Sequence, residues 1–329
     1  MTRFLAIAIV AWLLPAAAWA ATWTVNITGP IDLGDVVAAA NGDTVFRVSS
    51  ATGSVTVVSG AGRRLSNGSA RVQVNVSCRP GRGVDDACLT TNVPIRIGLI
   101  GALTGRARAF TAFNVTMGTA TLISGPTGTV PHDFMLAPVG NNSAKTFFVG
   151  GDFPVAGDDS GLPSGAGDNA FYVYALDANG LTLAGDADKG EVMVYRSLAV
   201  TSTANLNFGR IQIPSSGSST ISLNAGTGVR TISGNAVGYA TPAPTRGAFT
   251  ISGEGGQQVS LTIPSTIQLT GPGTLSVNVT DNAQNTPRLS GGPGAAGTYS
   301  FNVGGSFQIT PTTPTGAYSG ILTVSVDYN

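Results

Sequence analysis

One plan occurs twice in this sequence, and that repetition limits the possible folds more than any other feature. The segment IDLGDVVAAANGDTVFRVSS begins at Ile31, and LNFGRIQIPSSGSSTISLNA begins at Leu206. Gly34 matches Gly209, 175 residues further along, and the inward positions of the following strand match at the same offset. The repetition predicts two related domains.

A second match lies near the end of each copy, in the same order. Gly150–Gly151 of TFFVGGDFPV match Gly304–Gly305 of YSFNVGGSFQI at an offset of 154, and GAGDNAFYVYAL parallels GAYSGILTVSVD at an offset of 151. Because the offset falls along the chain, the first copy carries an insertion of about two dozen residues in its middle. The glycine pairs themselves predict a turn or bulge before a strand.

The composition assigns both copies to the all-β class. Short runs of Val, Ile and Thr alternate with clusters of Gly, Pro, Asn and Ser, a pattern typical of sandwiches and barrels. With 10% charged residues and 45 glycines, the sequence has none of the Leu-, Glu- and Lys-rich runs of long helices. We predict a first β-sandwich domain over residues 21–188 and a second over residues 189–329.

Residues 1–20 have the composition of an export signal. A positive start, MTR, precedes the apolar run FLAIAIVAWLLPAAA and the small-x-small cleavage pattern Ala18-Trp19-Ala20. The mature protein is therefore expected to be exported, to the cell surface or as a secreted protein. No later stretch has the length of a membrane span. The net charge of +0 gives no reason to expect nucleic acid as a partner.

The chain has two cysteines, Cys78 and Cys88, which flank RPGRGVDDA. In an exported protein, a pair at this spacing predicts a disulfide that closes a loop in the first domain. Two thiols without further ligands do not indicate a metal site.

No set of residues points to catalysis. His132 is the only histidine and is predicted to lie in a surface loop. A Ser-His-Asp triad would need it, but the sequence has no G-x-S-x-G motif to supply the nucleophile. Asp186, Asp188 and Glu191 could offer oxygen ligands to calcium, but the full calcium loop is missing, and a solvated linker is the preferred interpretation. We predict that the protein is not an enzyme and has no catalytic residues, cofactor or metal.

Large apolar side chains are frequent in the first copy. Most are expected in the core, and a few exposed at one end of the sandwich would form a patch of the kind that marks interaction sites. They are Phe110, Phe113, Phe134, Met135, Leu136, Phe147, Phe148 and Phe153.

The last stretch of the sequence predicts a strand with one apolar face. Leu322, Val324, Val326 and Tyr328 occupy alternate positions and therefore share a face. With nothing beyond it to pair on its far side, this strand is either an ordinary sheet edge or half of an unfinished pairing. Exposed edges of this kind accept further strands.

The motifs of both copies resemble a known family. The patterns [IL]-[DN]-[LF]-G, V-G-G-[DS]-F and G-A-Y-S-G-x-x-T-V-x-V-x-Y-N resemble an exported bacterial β-sandwich domain found beside pilus chaperones and ushers. The ending, with Tyr328, is also similar to subunits of chaperone–usher pili, especially the archaic, spore-coat-U-like branch. The resemblance covers nearly all of the mature chain and is strongest in the second copy.

This resemblance implies two tandem immunoglobulin-like sandwiches, of which the second lacks its last strand. In such subunits a periplasmic chaperone fills the gap, and after transfer to the outer-membrane usher the N-terminal extension of a neighbouring pilus subunit replaces it. The implied interface with the chaperone or donor strand in this chain consists of Leu322, Val324, Val326 and Tyr328.

The N-terminal residues suggest a place in the fibre. Residues 21–30 read as a first strand instead of a free donor, which favours a tip subunit that binds a surface through its first domain. That domain is expected to close itself with the segment 181–195. A stalk or surface-coat subunit stays open as an alternative, as does a secreted carbohydrate-binding or calcium-dependent lectin-like module.

Overall fold

The computed structural model describes residues 20–81 and 86–329, so the predicted signal peptide lies outside the described residues apart from Ala20. Strands form nearly all of the regular structure. In chain order they are β1 (Thr22–Ile27), β2 (Ile31–Val37), β3 (Thr44–Val48), β4 (Val55–Ser59), β5 (Arg63–Arg64), β6 (Val72–Arg79), β7 (Val93–Leu99), β8 (Ala112–Met117), β9 (Leu122–Thr127), β10 (His132–Leu136), β11 (Ser143–Val155), β12 (Gly165–Leu176), β13 (Thr182–Tyr195), β14 (Ala199–Ala204), β15 (Ile211–Gln212), β16 (Ser219–Leu223), β17 (Arg230–Ser233), β18 (Val237–Gly238), β19 (Gly247–Glu254), β20 (Val259–Thr262), β21 (Thr266–Thr270), β22 (Thr274–Asp281), β23 (Ala296–Ile309) and β24 (Ser325–Tyr328). A short helix, α1 (Ala87–Thr90), and one 3-10 turn (Asp158–Ser160) are the helical elements of the described chain.

Strands β1–β13 form the first sandwich. One sheet has the order β1-β6-β11-β3-β4, with β8 added beside β11. The other has the order β5-β2-β13-β12-β7-β10-β9, in which β13 runs parallel to β2 and antiparallel to β12. Inward side chains alternate with outward ones along the strands. A single cluster of buried apolar residues, which includes Phe46, Phe153 and Phe171, fills the space between the sheets.

Strands β14–β24 form the second sandwich. One of its sheets repeats the first of these sheets and adds β21 beside β22. Its order is β14-β19-β23-β16-β17, with β22 beside β23. The register is repeated too, since Phe46 lies opposite Phe153 in the first sandwich and Ile221 lies opposite Phe307 in the second. The prediction of an all-β protein with two tandem sandwiches is confirmed.

Matching strand pairs show where the first copy is longer. Val76 corresponds to Ile251, 175 residues further along, because each lies opposite the matching valine of the first strand of its sheet. Beyond the disulfide-bonded loop, Arg96 corresponds to Thr262, so the offset between matching residues has fallen from 175 to 166. The offset falls again, to 154, across the hairpin β9–β10, which has no counterpart among the described strands of the second sandwich. The insertion is thus divided between one loop and one hairpin.

The glycine pairs do not form a turn or bulge before a strand, and that prediction is wrong. Gly150–Gly151 lie inside β11, and Gly304–Gly305 lie inside β23. At this point β11 changes its partner from β6 to β3. A Cβ on Gly150 would collide with the carbonyl oxygen of Val48, and one on Gly304 with that of Leu223. Glycine is required because two backbones approach closely there.

The segment expected to close the first domain lies in that domain's sheet, as β13. The predicted boundary between residues 188 and 189 falls inside this strand and stays a prediction. None of the helices in the described chain combines the length and the apolar composition needed to cross a membrane.

Candidate functional site

One sheet of the second sandwich is split. In the first sandwich, β13 lies between β2 and β12 and joins them. The corresponding strands of the second sandwich are β15, which pairs with β18, and β24, which pairs with β20. No strand of the described chain lies between β15 and β24. The sheet is therefore reduced to two separate two-stranded pieces.

A groove of about 870 Å³ lies at the split and is called the second-sandwich groove below. Among the described residues that line it, Arg210 alone is charged. The large apolar side chains that line it come from the segment 206–213, from strands β19, β21, β22 and β23, and from Leu322. They are Leu206, Phe208, Ile211, Ile213, Phe249, Ile267, Leu269, Leu275, Phe307, Ile309 and Leu322. A groove with one charged lining residue, between two strand pairs that no further strand of the described chain joins, has the form of a site for an extended peptide.

The burial of matching residues differs between the two sandwiches. Phe171 and Val173 of β12 are each 0% exposed. Their counterparts 151 residues further along, Leu322 and Val324, are partly exposed. The sequence supplies an apolar side chain at both places, so the difference in burial comes from the strand that covers them in one copy and not in the other.

The core of the second sandwich is correspondingly divided. One buried cluster surrounds Ile221 and Phe307, and another surrounds Ile251 and Phe301. Leu206 packs against both clusters and is itself only partly buried. The first sandwich has one continuous cluster instead. A sandwich whose core is divided by a groove buries less apolar surface than a closed one, and it is less stable for that reason.

Tyr328 lies at the junction of the two sandwiches. Its hydroxyl accepts a hydrogen bond of 2.6 Å from the backbone N–H of Glu254 and donates one of 2.8 Å to the carbonyl oxygen of Arg196. Its ring lies 5.7 Å from that of Tyr195, the last residue of β13. Burial of the hydroxyl raises the pKa of Tyr328 to about 12.

The neighbouring residue, Asp327, also reaches the first sandwich. Its carboxylate accepts two hydrogen bonds from the guanidinium of Arg63, one of which measures 2.9 Å. These bonds lower the pKa of Asp327 below its ordinary value. Both side chains are about half exposed, so the pair adds little stability. It joins the end of β24 in the second sandwich to β5 in the first.

The four residues of the predicted interface do not all lie in the groove. Leu322 lines it. Val324, Val326 and Tyr328 pack against the cluster around Ile251 and are each partly exposed. Their role in binding a chaperone or a donor strand stays a prediction.

The predicted disulfide is present. Cys78 in β6 and Cys88 in α1 are bonded, with their Cα atoms 5.6 Å apart, and both are buried. The bond closes the loop that makes the first copy longer at this point. Part of that loop, residues 82–85, lies outside the described residues.

Two further interpretations of the sequence need correction. His132 is not a surface loop residue, because it begins β10, is 6% exposed and bonds the carbonyl oxygen of Gly128 through Nδ1 at 3.0 Å. Asp186, Asp188 and Glu191 do not lie in a solvated linker but in β13. The Asp186 carboxylate accepts a 2.8 Å hydrogen bond from the Ile27 N–H. In residues 20–81 and 86–329, no three His, Cys, Asp or Glu side chains are grouped to hold a metal ion.

The groove residues before β16 were missed by the sequence analysis. Leu206 and Phe208 alternate, as do Ile211 and Ile213, and Gly209 stands between the two pairs with a φ of 75°. A local twist at that glycine keeps both pairs on the groove side. The signal was available, because an alternating apolar row is the pattern of a strand with one buried face.

Comparisons with known proteins extend this picture only slightly. A family model described as a domain of unknown function (DUF4402) matches residues 198–328, which is the second sandwich. No curated protein matches the sequence.

Two solved structures cover nearly the whole chain. The CupB6 tip adhesin from Pseudomonas aeruginosa has 10% identity and a TM-score of 0.27, with 94% of each chain covered. A chaperone–tip adhesin complex of CFA/I fimbriae biogenesis has 8% identity and a TM-score of 0.23, with 92% of this chain and 96% of that chain covered. At TM-scores this low, neither similarity carries an argument about function.

Proposed function

We propose that this protein is an adhesive subunit of a chaperone–usher pilus and that its second sandwich is completed by a strand from another protein. The strand comes first from a periplasmic chaperone and then, after delivery to the outer-membrane usher, from a neighbouring pilus subunit. The protein is exported through the periplasm to the cell surface. It occupies the tip of the fibre, and the first sandwich is the part that contacts a surface.

One observation carries this proposal: the same strand position is filled in the first sandwich and open in the second. Phe171 is fully buried in β12, which pairs with β13, whereas its counterpart Leu322 borders the open groove. Since the two sandwiches share the strand order and register of their matching sheets, the groove lies where a strand is missing, and this supports an extended peptide as its occupant.

The energy involved is large enough to make an incoming strand necessary. A strand that covers about five apolar side chains, at roughly 2 kcal/mol each, stabilises the second sandwich by on the order of 10 kcal/mol. That equals the whole stability of a typical domain. The second sandwich alone is therefore expected to be marginally stable.

The tip position rests on how the first sandwich uses its N-terminal residues. A stalk subunit needs a free donor peptide there. In this chain β1 is hydrogen-bonded along its length to β6, from Thr22 opposite Arg79 to Ile27 opposite Val74. The first sandwich also provides its own closing strand, β13. A subunit that receives a strand but holds its own first strand in place ends a fibre, which disfavours the stalk alternative.

The test is co-expression of the full chain in a periplasm with and without its cognate chaperone. We expect a soluble one-to-one complex with the chaperone, and without it a lower yield of a free chain whose second sandwich is marginally stable and readily proteolysed. Ala317 is an exposed residue that lines the groove, so the larger side chain in Ala317→Trp would occupy part of the groove. This substitution is expected to prevent formation of the complex with the chaperone. Leu322→Asp is expected to do the same by placing a charge in the groove.

Ile321→Asp is the matched control, because Ile321 is adjacent to Leu322 but is 86% exposed. It is expected to leave the complex intact. A chain that is stable and monomeric without any chaperone, and indifferent to Ala317→Trp and Leu322→Asp, would overturn the proposal.

A further inference from the structure

The outer face of the first sandwich carries a pair of stacked tyrosines. Tyr172 and Tyr174 occupy alternate positions of β12 and therefore project to the same side of the sheet, away from the core. Their ring centroids are 4.1 Å apart with 22° between the ring planes. Both side chains are partly exposed, and neither hydroxyl is hydrogen-bonded to another residue of the described chain.

Glycines on the neighbouring strands make room for these rings. Gly98 of β7 lies opposite Tyr172, and Gly185 of β13 lies opposite Tyr174. A Cβ on either glycine would collide with the ring that it faces. Each tyrosine ring therefore lies against the backbone of a neighbouring strand, and a larger residue in place of either glycine would displace it. The stacked pair of Tyr172 and Tyr174 is called the tyrosine platform below.

A neutralised ion pair continues the platform across the sheet. Arg96 lies opposite Tyr174, and Asp133 lies opposite Arg96. The guanidinium donates two hydrogen bonds to the carboxylate, Nε to Oδ1 at 2.8 Å and Nη2 to Oδ2 at 3.0 Å. The side chains are 43% and 38% exposed, so each retains free hydrogen-bonding capacity toward a ligand.

A cleft of about 410 Å³ adjoins the ion pair. Ser124 and Thr127 of β9, Asp177 and Gly180 of the β12–β13 turn, and Arg96 with Asp133 contribute to its lining. The volume falls in the range of small-molecule sites in proteins. With one arginine and two aspartates around it, the cleft disfavours an anionic ligand.

The second sandwich shows that the fold does not require these side chains. Tyr174 corresponds to Ser325 and Arg96 to Thr262, which lie opposite each other just as Tyr174 and Arg96 do. Tyr172 corresponds to Thr323 at the same offset of 151 residues. The aromatic platform and the ion pair are therefore features of the first sandwich that the shared architecture does not explain.

We propose that Tyr172, Tyr174, Arg96 and Asp133, with the adjoining cleft, form a binding site for neutral carbohydrate. A sugar ring has an apolar face of C–H groups that packs on an aromatic ring, and its hydroxyls both donate and accept hydrogen bonds. The tyrosine platform matches the first property. The half-exposed guanidinium and carboxylate match the second, because they offer a donor and an acceptor side by side. The site lies in the first sandwich and is independent of the second-sandwich groove.

The experiment measures binding of the mature full chain to an array of neutral and sialylated glycans, followed by titration with the neutral oligosaccharide that binds best. We expect Tyr172→Ala/Tyr174→Ala to weaken binding about tenfold or more. Tyr172→Phe/Tyr174→Phe keeps both rings and is expected to retain most of the affinity. Tyr239→Ala is the matched control, since Tyr239 is a 40% exposed tyrosine of the second sandwich.

Unfolding curves of each variant separate loss of binding from loss of folding. An array on which no neutral glycan binds, or on which only sialylated glycans bind, overturns the proposal, as does unchanged binding by the alanine double variant. The pilus proposal fails on a different result, namely that the chain is a stable monomer without any chaperone. That result would not change the expected binding of glycans by the first sandwich.

Discussion

The duplicated core allows one substitution to be made in a closed and in an open environment. Val173 in β12 and Val324, the residue just before β24, occupy matching positions of the two repeats. Val173 is 0% exposed, and Val324 is partly exposed. Val173→Ala and Val324→Ala therefore remove the same two carbon atoms from a filled core and from a core that borders an open groove.

The expected magnitudes follow from burial. Removal of two fully buried carbons costs about 1.6 kcal/mol in transfer free energy. The cavity left in a packed core raises the loss to about 2–3 kcal/mol. This is the expected decrease in the free energy of unfolding for Val173→Ala. Val324→Ala is expected to cost about 1–1.5 kcal/mol in the free chain, because part of the Val324 surface is already in water and no closed cavity forms.

Urea unfolding with two probes distinguishes the two sandwiches. Trp23 in β1 is buried at 8% exposure and is the one tryptophan beyond the predicted signal peptide, so its fluorescence follows the first sandwich. Hydrogen exchange of the β23 amides follows the second. When a donor strand fills the groove, the cost of Val324→Ala should rise to about the cost of Val173→Ala. Equal costs in the free chain would refute the reasoning, because they would mean that the second core is already closed.

Two more perturbations test the remaining structure. Replacing Cys78 and Cys88 by alanine is expected to lower the unfolding free energy of the first sandwich by about 3 kcal/mol, seen as a lower urea midpoint by tryptophan fluorescence, with reduction of the native protein giving the same shift. Tyr328→Phe removes the hydroxyl that bonds Glu254 and Arg196 and is expected to destabilise the second sandwich by about 1–2 kcal/mol, measured by hydrogen exchange. Because the pKa of Tyr328 is raised from 10.0 to about 12, folding stabilises its neutral form. Its contribution is complete below about pH 10 and is lost as the pH rises through 12. The native protein should therefore lose more stability in that window than Tyr328→Phe, in which only the raised pKa of Tyr195 still acts in the same direction. Equal alkaline destabilisation of both proteins would contradict this assignment.

The sequence predicted features that depend on local pattern or on the repeat. Alternating apolar residues identified the strands around Val76 and Phe301, and the spacing of Cys78 and Cys88 identified the disulfide. The match between Phe46 and Ile221 identified equivalent strands, and the structure pairs both in the same register. These features could be predicted because side-chain alternation and repetition are properties of the chain itself.

Other features could not be obtained that way because they depend on which backbones meet. The glycine pair at Gly150 looks like a turn signal, yet its cause is the carbonyl oxygen of Val48 on a strand about a hundred residues away. His132 follows a proline and looks like a loop residue, yet hairpin β9–β10 buries it. Sequence spacing contains no information on such non-local contacts.

By itself, the sequence determined the all-β class, the duplication of one sandwich, the disulfide and the apolar face of the last strand, since each follows from short-range order along the chain. Only the tertiary structure decided that one sheet is closed by β13 and that the matching sheet is split at a groove. The tertiary structure also placed Tyr172 and Tyr174 over glycines on one outer face of the first sandwich. The physical reason is that an apolar strand face has the same pattern whether or not another strand covers it. Burial is a property of the neighbours that the fold brings together.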